Sequence, residues 1–214
     1  MAAVLVVALG TFAVANQDAQ STIGDTGQAD VAAANAVSAN GGDVTENNVS
    51  STANTEKWQG FWGTISGSFV LGDGTDVFFD WSGATFQAVY ASPNNAPDWE
   101  NIDPVETLGE RQAADTEFGY NDADADSITE TFSGNTCAAG TEIAAAAGVT
   151  PFDDAGAPGA WTTCIGNDGT AGVNGYVFGT NIVADTAFNN EAADYQLMVP
   201  AEAAGTDFYF FLEI

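Results

Sequence analysis

The pattern of apolar and polar positions changes character at Trp58. Residues Asn16 to Glu56 contain no aromatic side chain and are dominated by Ala, Asn, Gly, Ser, Thr and Asp. Ordering such a segment costs conformational entropy that its few apolar atoms do not offset, so it reads as an acidic, polar low-complexity arm or linker. Val44, Val49 and the run Ser50-Ser51-Thr52 are the positions within it suited to one or two polar strands.

From Trp58 the apolar residues fall at period two. Phe61, Ile65, Phe69 and Leu71 share one side of an extended segment, and Trp58, Trp62 and Val70 the other. Gly60, Gly63 and Gly67 argue against a helix there. Gly72-Asp73-Gly74 is a turn signal, and Val77 to Trp81 reads as the returning strand of a hairpin. Phe86 to Tyr90 follows as a further strand. Ser92 to Asp126, with Pro93, Pro97 and Pro104, reads as loop. Ile128 to Phe132 is predicted as a strand and Glu142 to Gly148, an alanine run, as the one short helix. Tyr176 to Ala184, Asp194 to Val199 and Asp207 to Ile214 complete the strands. The last is apolar enough that pairing inside a sheet is expected. Many short strands separated by Gly, Pro and Asp predict an all-β fold, an antiparallel β-sandwich of immunoglobulin-like or jelly-roll-like type. The predicted boundaries are a leader over 1–15, an arm over 16–56 and a sandwich domain over 57–214.

Charge adds a constraint that patterning does not. The chain of 214 residues has 30 acidic and two basic side chains, Lys57 and Arg111, and a formal net charge of −28. Yet 45% of it is apolar, enough for a core. A folded body covered in carboxylates repels itself in dilute buffer. In about 1 M salt the screening length falls to roughly 3 Å and most of that repulsion disappears. The scarcity of lysine therefore points to a halophile, most simply an archaeon. It also excludes nucleic acid, whose phosphates need Lys and Arg, and an anionic membrane surface as partners.

The opening run MAAVLVVALGTFAVA is apolar, too short for a confident membrane span, and ends in the cleavage-like Ala13-Val14-Ala15. It reads as a signal peptide, with a start expected upstream because no positive n-region precedes it. The competing reading is a type IV pilin-like helix retained as a filament core. Export fits the two cysteines, Cys137 and Cys164, which are expected to form a disulfide closing a loop of roughly 27 residues, worth about 3 kcal/mol. Asn48 heads an N-x-S glycosylation sequon.

Candidate chemistry is thin. Asp122, Asp124 and Asp126 alternate like the first half of a calcium loop, but Ser127 and Ser133 stand where the loop needs Gly and Glu. Calcium is the one cofactor this pattern leaves open; otherwise none is expected. No histidine is present to activate a nucleophile, no carboxylate pair stands apart from the rest, and no phosphate loop or dinucleotide fingerprint occurs. No enzymatic activity is expected. Trp58, Trp62 and Trp81 lie in strand-like segments and are expected in the core. Trp99 and Trp161 lie in loop-like segments and are the candidates for stacking on a carbohydrate.

The block Trp58-Gln59-Gly60-Phe61-Trp62-Gly63, followed by Ile65-Ser66-Gly67, Val70-Leu71, Phe78-Phe79-Asp80-Trp81, Tyr90-Ala91-Ser92, Glu130-Thr131-Phe132 and Tyr195-Gln196-Leu197-Met198-Val199-Pro200 with a terminal aromatic strand, resembles a pattern in secreted archaeal surface proteins. The resemblance runs from about Asp43 to Ile214. It implies export, archaeal origin and a β domain, and it carries no catalytic residues. The expectation is thus an extracellular surface protein that polymerises with itself by β-strand donation from a segment near Gly42 to Lys57, with Val44 and Val49 filling pockets. The alternative is a monomeric surface module that binds carbohydrate or calcium.

Overall fold

A computed structural model describes residues 15–19, 21–24, 26–29, 36–51, 53–133, 135–137, 143, 146–202 and 205–214. Its strands are β1 (Ala15–Asp18), β2 (Trp58–Gly63), β3 (Val70–Gly72), β4 (Val77–Asp80), β5 (Ala88–Ser92), β6 (Asp103–Pro104), β7 (Asn135–Thr136), β8 (Ala147–Val149), β9 (Thr163–Asn167), β10 (Tyr176–Asn181), β11 (Asp185–Thr186), β12 (Ala192–Ala193), β13 (Tyr195–Pro200) and β14 (Tyr209–Glu213). Two α-helices, α1 (Leu108–Glu117) and α2 (Ile128–Thr131), lie between β6 and β7.

The fold is an antiparallel β-sandwich. One layer is an eight-stranded sheet in the order β1-β14-β5-β10-β9-β8-β7, with β6 also paired to β9. The second layer is the β2–β13 ribbon together with α1 and α2. Residues from both layers form one cluster: Ala91, Ile165 and Phe178 from the sheet, Leu197 and Val199 from the ribbon, and Ala114, Phe118, Ile128 and Phe132 from or beside the helices. Each large apolar side chain fully removed from water here contributes about 1.5–3 kcal/mol.

Period-two alternation sends the intervening residues to the opposite face of the sheet. There Ala88, Tyr90, Cys164, Val177 and Phe211 gather with Ile143, and Trp99 and Ile102 pack against them. Tyr90 lies opposite Gly179 in the register of β5 and β10. A Cβ at Gly179 would sit 2.4 Å from the Tyr90 ring, so the glycine is what lets the ring lie against the sheet.

Three of the segments assigned from sequence differ from expectation, and strand β9 (Thr163–Asn167) is not among the predicted strands. Ile128 to Phe132 is a helical turn, not a strand. Ile128 and Phe132 are both buried at a spacing of four. The Ser127 hydroxyl accepts the Glu130 N–H, and the buried Asp115 carboxylate accepts the N–H groups of Ile128 and Thr129 at 2.6 and 2.9 Å. The proline-containing stretch read as loop holds α1, opened by a capping box. Thr107 accepts the Glu110 N–H while the Glu110 carboxylate accepts the Thr107 N–H. The alanine run is not a helix in its last residues. Ala147 and Gly148 belong to β8, where Gly148 pairs with Cys164, so sheet pairing beside the disulfide overrides alanine's helix propensity. Glu142, Ala144 and Ala145 lie outside the described residues, as do residues 1–14, the expected leader or pilin-like helix.

Candidate functional site

The apolar terminal segment became β14, paired on one side to β5 and on the other to β1. Strand β1 is the outer edge of the main sheet at this end. Its register sets Ala15 opposite Glu213 and Asp18 opposite Phe211, and the Ala19 N–H continues the ladder to the Phe210 carbonyl at 2.9 Å. The sequence of this strand, Ala-Asn-Gln-Asp, has no apolar alternation. It is held as a strand by main-chain bonds to an exposed edge, which is why patterning missed it.

A hollow lies at each end of this edge. One, of about 370 Å³, is lined by Ala19, Ser21, Asn95 and Phe208 to Phe211. The other, of about 250 Å³, lies beneath the β3–β4 hairpin against Phe86 and Ile214. Between β1 and β2 the described residues of 21–51 are all exposed. Val44 and Val49 are 101% and 85% exposed and belong to no strand. Asn48 is also exposed, with its amide nitrogen donating to Glu46 at 3.1 Å.

The acidic loop after α1 is organised by a lysine. Lys57 Nζ lies 2.7 Å from Asp124 Oδ2 and 2.7 Å from Asp126 Oδ1. Hydrogen bonds to Asp124 and Asp126 push the Lys57 pKa up, and the same ammonium holds Asp126 below the usual carboxylate range. Asp126 also accepts from the Thr55 hydroxyl at 2.8 Å, and its carbonyl accepts the Trp58 indole N–H at 2.7 Å. Asp122 accepts instead from the Gln112 amide at 2.7 Å. The three carboxylates expected as half of a calcium loop thus turn to protein donors. Among the described residues no three His, Cys, Asp or Glu side chains are grouped to hold a metal ion. Nearby, the Tyr120 hydroxyl lies within donating distance of the Lys57 and Ala201 carbonyls, and burial pushes its pKa up to about 12. This assembly fastens the start of β2 to the end of β13 and to the loop.

The tryptophans do not sort as expected. Trp161, a stacking candidate, is fully buried, with its N–H shared between the Val183 and Asp194 carbonyls at 3.0 and 2.9 Å. It sits in a loop by secondary structure, but a loop that closes over Ala187 and Ala193. Trp99 is half-buried and edges against Tyr90 and Phe211 at 5.4 and 5.1 Å between ring centres. Trp81, expected in the core, is exposed. Of the two stacking candidates, Trp161 has no surface open to solvent, while Trp99 remains partly exposed.

Cys137 and Cys164 form a disulfide, joining residues 27 apart in sequence beside β8 and β9. A buried pair that sequence reasoning did not identify is Tyr90 and Glu213, with the phenol donating to the carboxylate at 2.5 Å. Burial raises the Glu213 pKa, opposed by the Tyr90 hydrogen bond. Both residues are buried, the Tyr90 ring edges against Trp99, and neither residue lines either hollow.

No protein-family model, curated protein or solved structure matches this chain.

Proposed function

We propose that this chain is a non-enzymatic, exported surface subunit of a halophilic archaeon, and that copies of it join by β-strand donation at the β14 edge. The observation that carries the proposal is the attachment of β1. A short strand whose sequence has no apolar alternation completes the edge of the main sheet, and the polar arm before Lys57 joins it in sequence to the rest of the body. That arm spans roughly 38 residues, and a chain of its polar, glycine-containing composition has an end-to-end reach of roughly 35 Å.

Paired to its own β14, the strand caps an edge that would otherwise be an open template. Paired to a neighbour's β14, it makes the same main-chain bonds. The choice is then set by concentration. A tether of this length and composition holds its strand at an effective concentration in roughly the millimolar range, so subunits crowded to comparable density exchange strands. Each exchange leaves one edge open and one strand free, and such a head-to-tail contact propagates instead of closing. In this reading the donor is Ala15–Asp18, which pairs with β14, in place of the segment near Gly42 to Lys57 expected from sequence.

The remaining features agree with this reading. A charge of −28 with only two basic residues suits molar salt, and a disulfide suits an oxidising exterior. The chain supplies no histidine, and the loop carboxylates Asp122, Asp124 and Asp126 are occupied by protein donors.

Electron microscopy of the full chain in 2 M KCl tests the proposal. Filaments or regular arrays are expected at high protein concentration. Deleting residues 15–19 should abolish them while circular dichroism shows the body still folded. Assembly that survives the deletion, or single particles of the full chain at every concentration, overturns it.

A further inference from the structure

The β3–β4 hairpin is unlike the rest of the molecule. Every residue of both strands is exposed, and among the described residues the hairpin is a separate two-stranded sheet to which no further strand pairs. Leu71 pairs with Phe79 in register, and the Trp81 N–H bonds the Phe69 carbonyl at 2.9 Å. Trp81 contacts both Phe69 and Phe79 at 4.9 Å between ring centres. Phe69, Leu71, Phe79 and Trp81 therefore form one apolar face, 37%, 52%, 53% and 42% exposed. Phe78, 85% exposed, points to the other side. An isolated hairpin is at best marginally stable in water, and a contiguous apolar face on so charged a chain marks a contact surface.

Two observations identify the occupant. The tip of the hairpin is acidic. Asp73 accepts the N–H groups of Thr75 and Asp76 at 2.9 and 2.8 Å, which stabilises its charged form. Entry into lipid would have to bury that carboxylate first, so the apolar face is suited to a flat, side-on protein contact and not to a membrane. The base of the hairpin is continuous with the proposed strand-donation edge: Phe69 and Trp81 share a hollow with Phe86 and Ile214, the residue that follows β14. A copy held at that edge is carried beside this face.

We infer that the aromatic face of the β3–β4 hairpin is the second half of the subunit junction, and that its occupant is a second copy of this chain. The inference rests on strand donation for its placement of the neighbour. Strand pairing supplies main-chain specificity, and the hairpin supplies apolar burial that molar salt does not screen. Two bodies of charge −28 associate only where both conditions hold.

Sedimentation velocity of the full chain over a concentration series in 2 M KCl tests this. The double substitution Leu71→Asp with Phe79→Asp should weaken self-association at least tenfold. Phe78→Ser, on the opposite side, should change it less than twofold. Unfolding midpoints in urea, measured in parallel, separate a lost contact from a lost fold, and Leu71→Ala with Phe79→Ala serves if the aspartates prevent folding. Unchanged association in the face variants, an equal loss with Phe78→Ser, or binding of the wild-type hairpin to neutral phosphatidylcholine vesicles in place of self-association overturns the inference. The deletion of 15–19 distinguishes the two halves. Association that survives the deletion but not the face variants removes strand donation and keeps the hairpin contact. The reverse pattern removes the hairpin contact and keeps strand donation. A full chain that stays monomeric removes both.

Discussion

Strand β5 and the β3–β4 hairpin are built from similar residues and have opposite fates. Ala88, Val89, Tyr90, Ala91 and Ser92 are all buried. Val70, Leu71, Val77, Phe78 and Phe79 are all exposed. Apolar content does not separate them. What separates them is the supply of neighbours. Strand β5 has β14 and β10 on its two edges, the ribbon and helices over one face, and Trp99 over the other. Among the described residues, each strand of the hairpin pairs only with its twin. Within the described residues of a single copy, the hydrophobic effect is satisfied in the first region and left unused in the second.

The sharpest way to break this comparison is to make one chemical change in both regions. Phe178, on β10, is fully buried and meets Phe118, Phe132 and Phe208 edge-on or tilted, with ring centres 6.2 to 6.3 Å apart. Phe178→Ala should cost about 3–5 kcal/mol, the range for a phenylalanine removed from a packed core. Urea unfolding in 2 M KCl measures it. A loss below about 1 kcal/mol would mean that the sheet and its helical cover are not one packed unit.

What the sequence made legible follows the same division. Strands β5, β10, β13 and β14 were readable because their apolar residues alternate against a core, and the hairpin because Gly72-Asp73-Gly74 marks its turn. Helix α1 carried a readable signal, Thr107 three residues before Glu110, that the surrounding prolines obscured. The spacing of Ile128 and Phe132 fits a helical turn, but five residues are too few for the period to stand out. Strand β1 carried no signal, because its pairing is main-chain only. Burial was least legible. The sequence could not show that Trp161 is enclosed and Trp81 is not, since that depends on which loops close over which faces. The disulfide was legible from cysteine count alone. The Lys57 bridge required the loop of Asp124 and Asp126 to fold back on the start of β2, a contact across 67 residues that spacing cannot encode.

A smaller effect is expected where the core side of the comparison contains charge. Glu213 is the buried carboxyl at the proposed donation edge, opposite Ala15 in register. Burial raises its pKa from the ordinary 4.5. The folded state therefore holds this proton more tightly than the unfolded state does. Its contribution to stability is fully present below about 4.5 and is lost as pH rises through the raised folded value. Glu213→Gln keeps an acceptor for the Tyr90 hydroxyl and removes the titration. The variant should therefore gain stability relative to wild type as pH rises through that window, and the difference should level off above it. Urea midpoints of both proteins across the acid range measure the difference. A constant difference would show that the site is solvated well enough to ionise as it does in the unfolded chain.

The smallest effect belongs to the hairpin. Phe78→Ala makes the same change as Phe178→Ala at a side chain that is 85% exposed. Little apolar area returns to water on unfolding and no cavity is left, so the stability of dilute monomer should shift by no more than about 0.5 kcal/mol. The condition of dilution matters. If a second copy covers the aromatic face, Leu71→Ala and Phe79→Ala should be equally silent in dilute protein and become destabilising as concentration rises, because a partner that binds only the folded state stabilises it by mass action. Phe78→Ala should remain silent at both concentrations. Urea midpoints at two protein concentrations read this directly. A hairpin whose substitutions cost the same at every concentration would owe its apolar residues to folding of the single chain, and the two regions would then differ in degree and not in purpose.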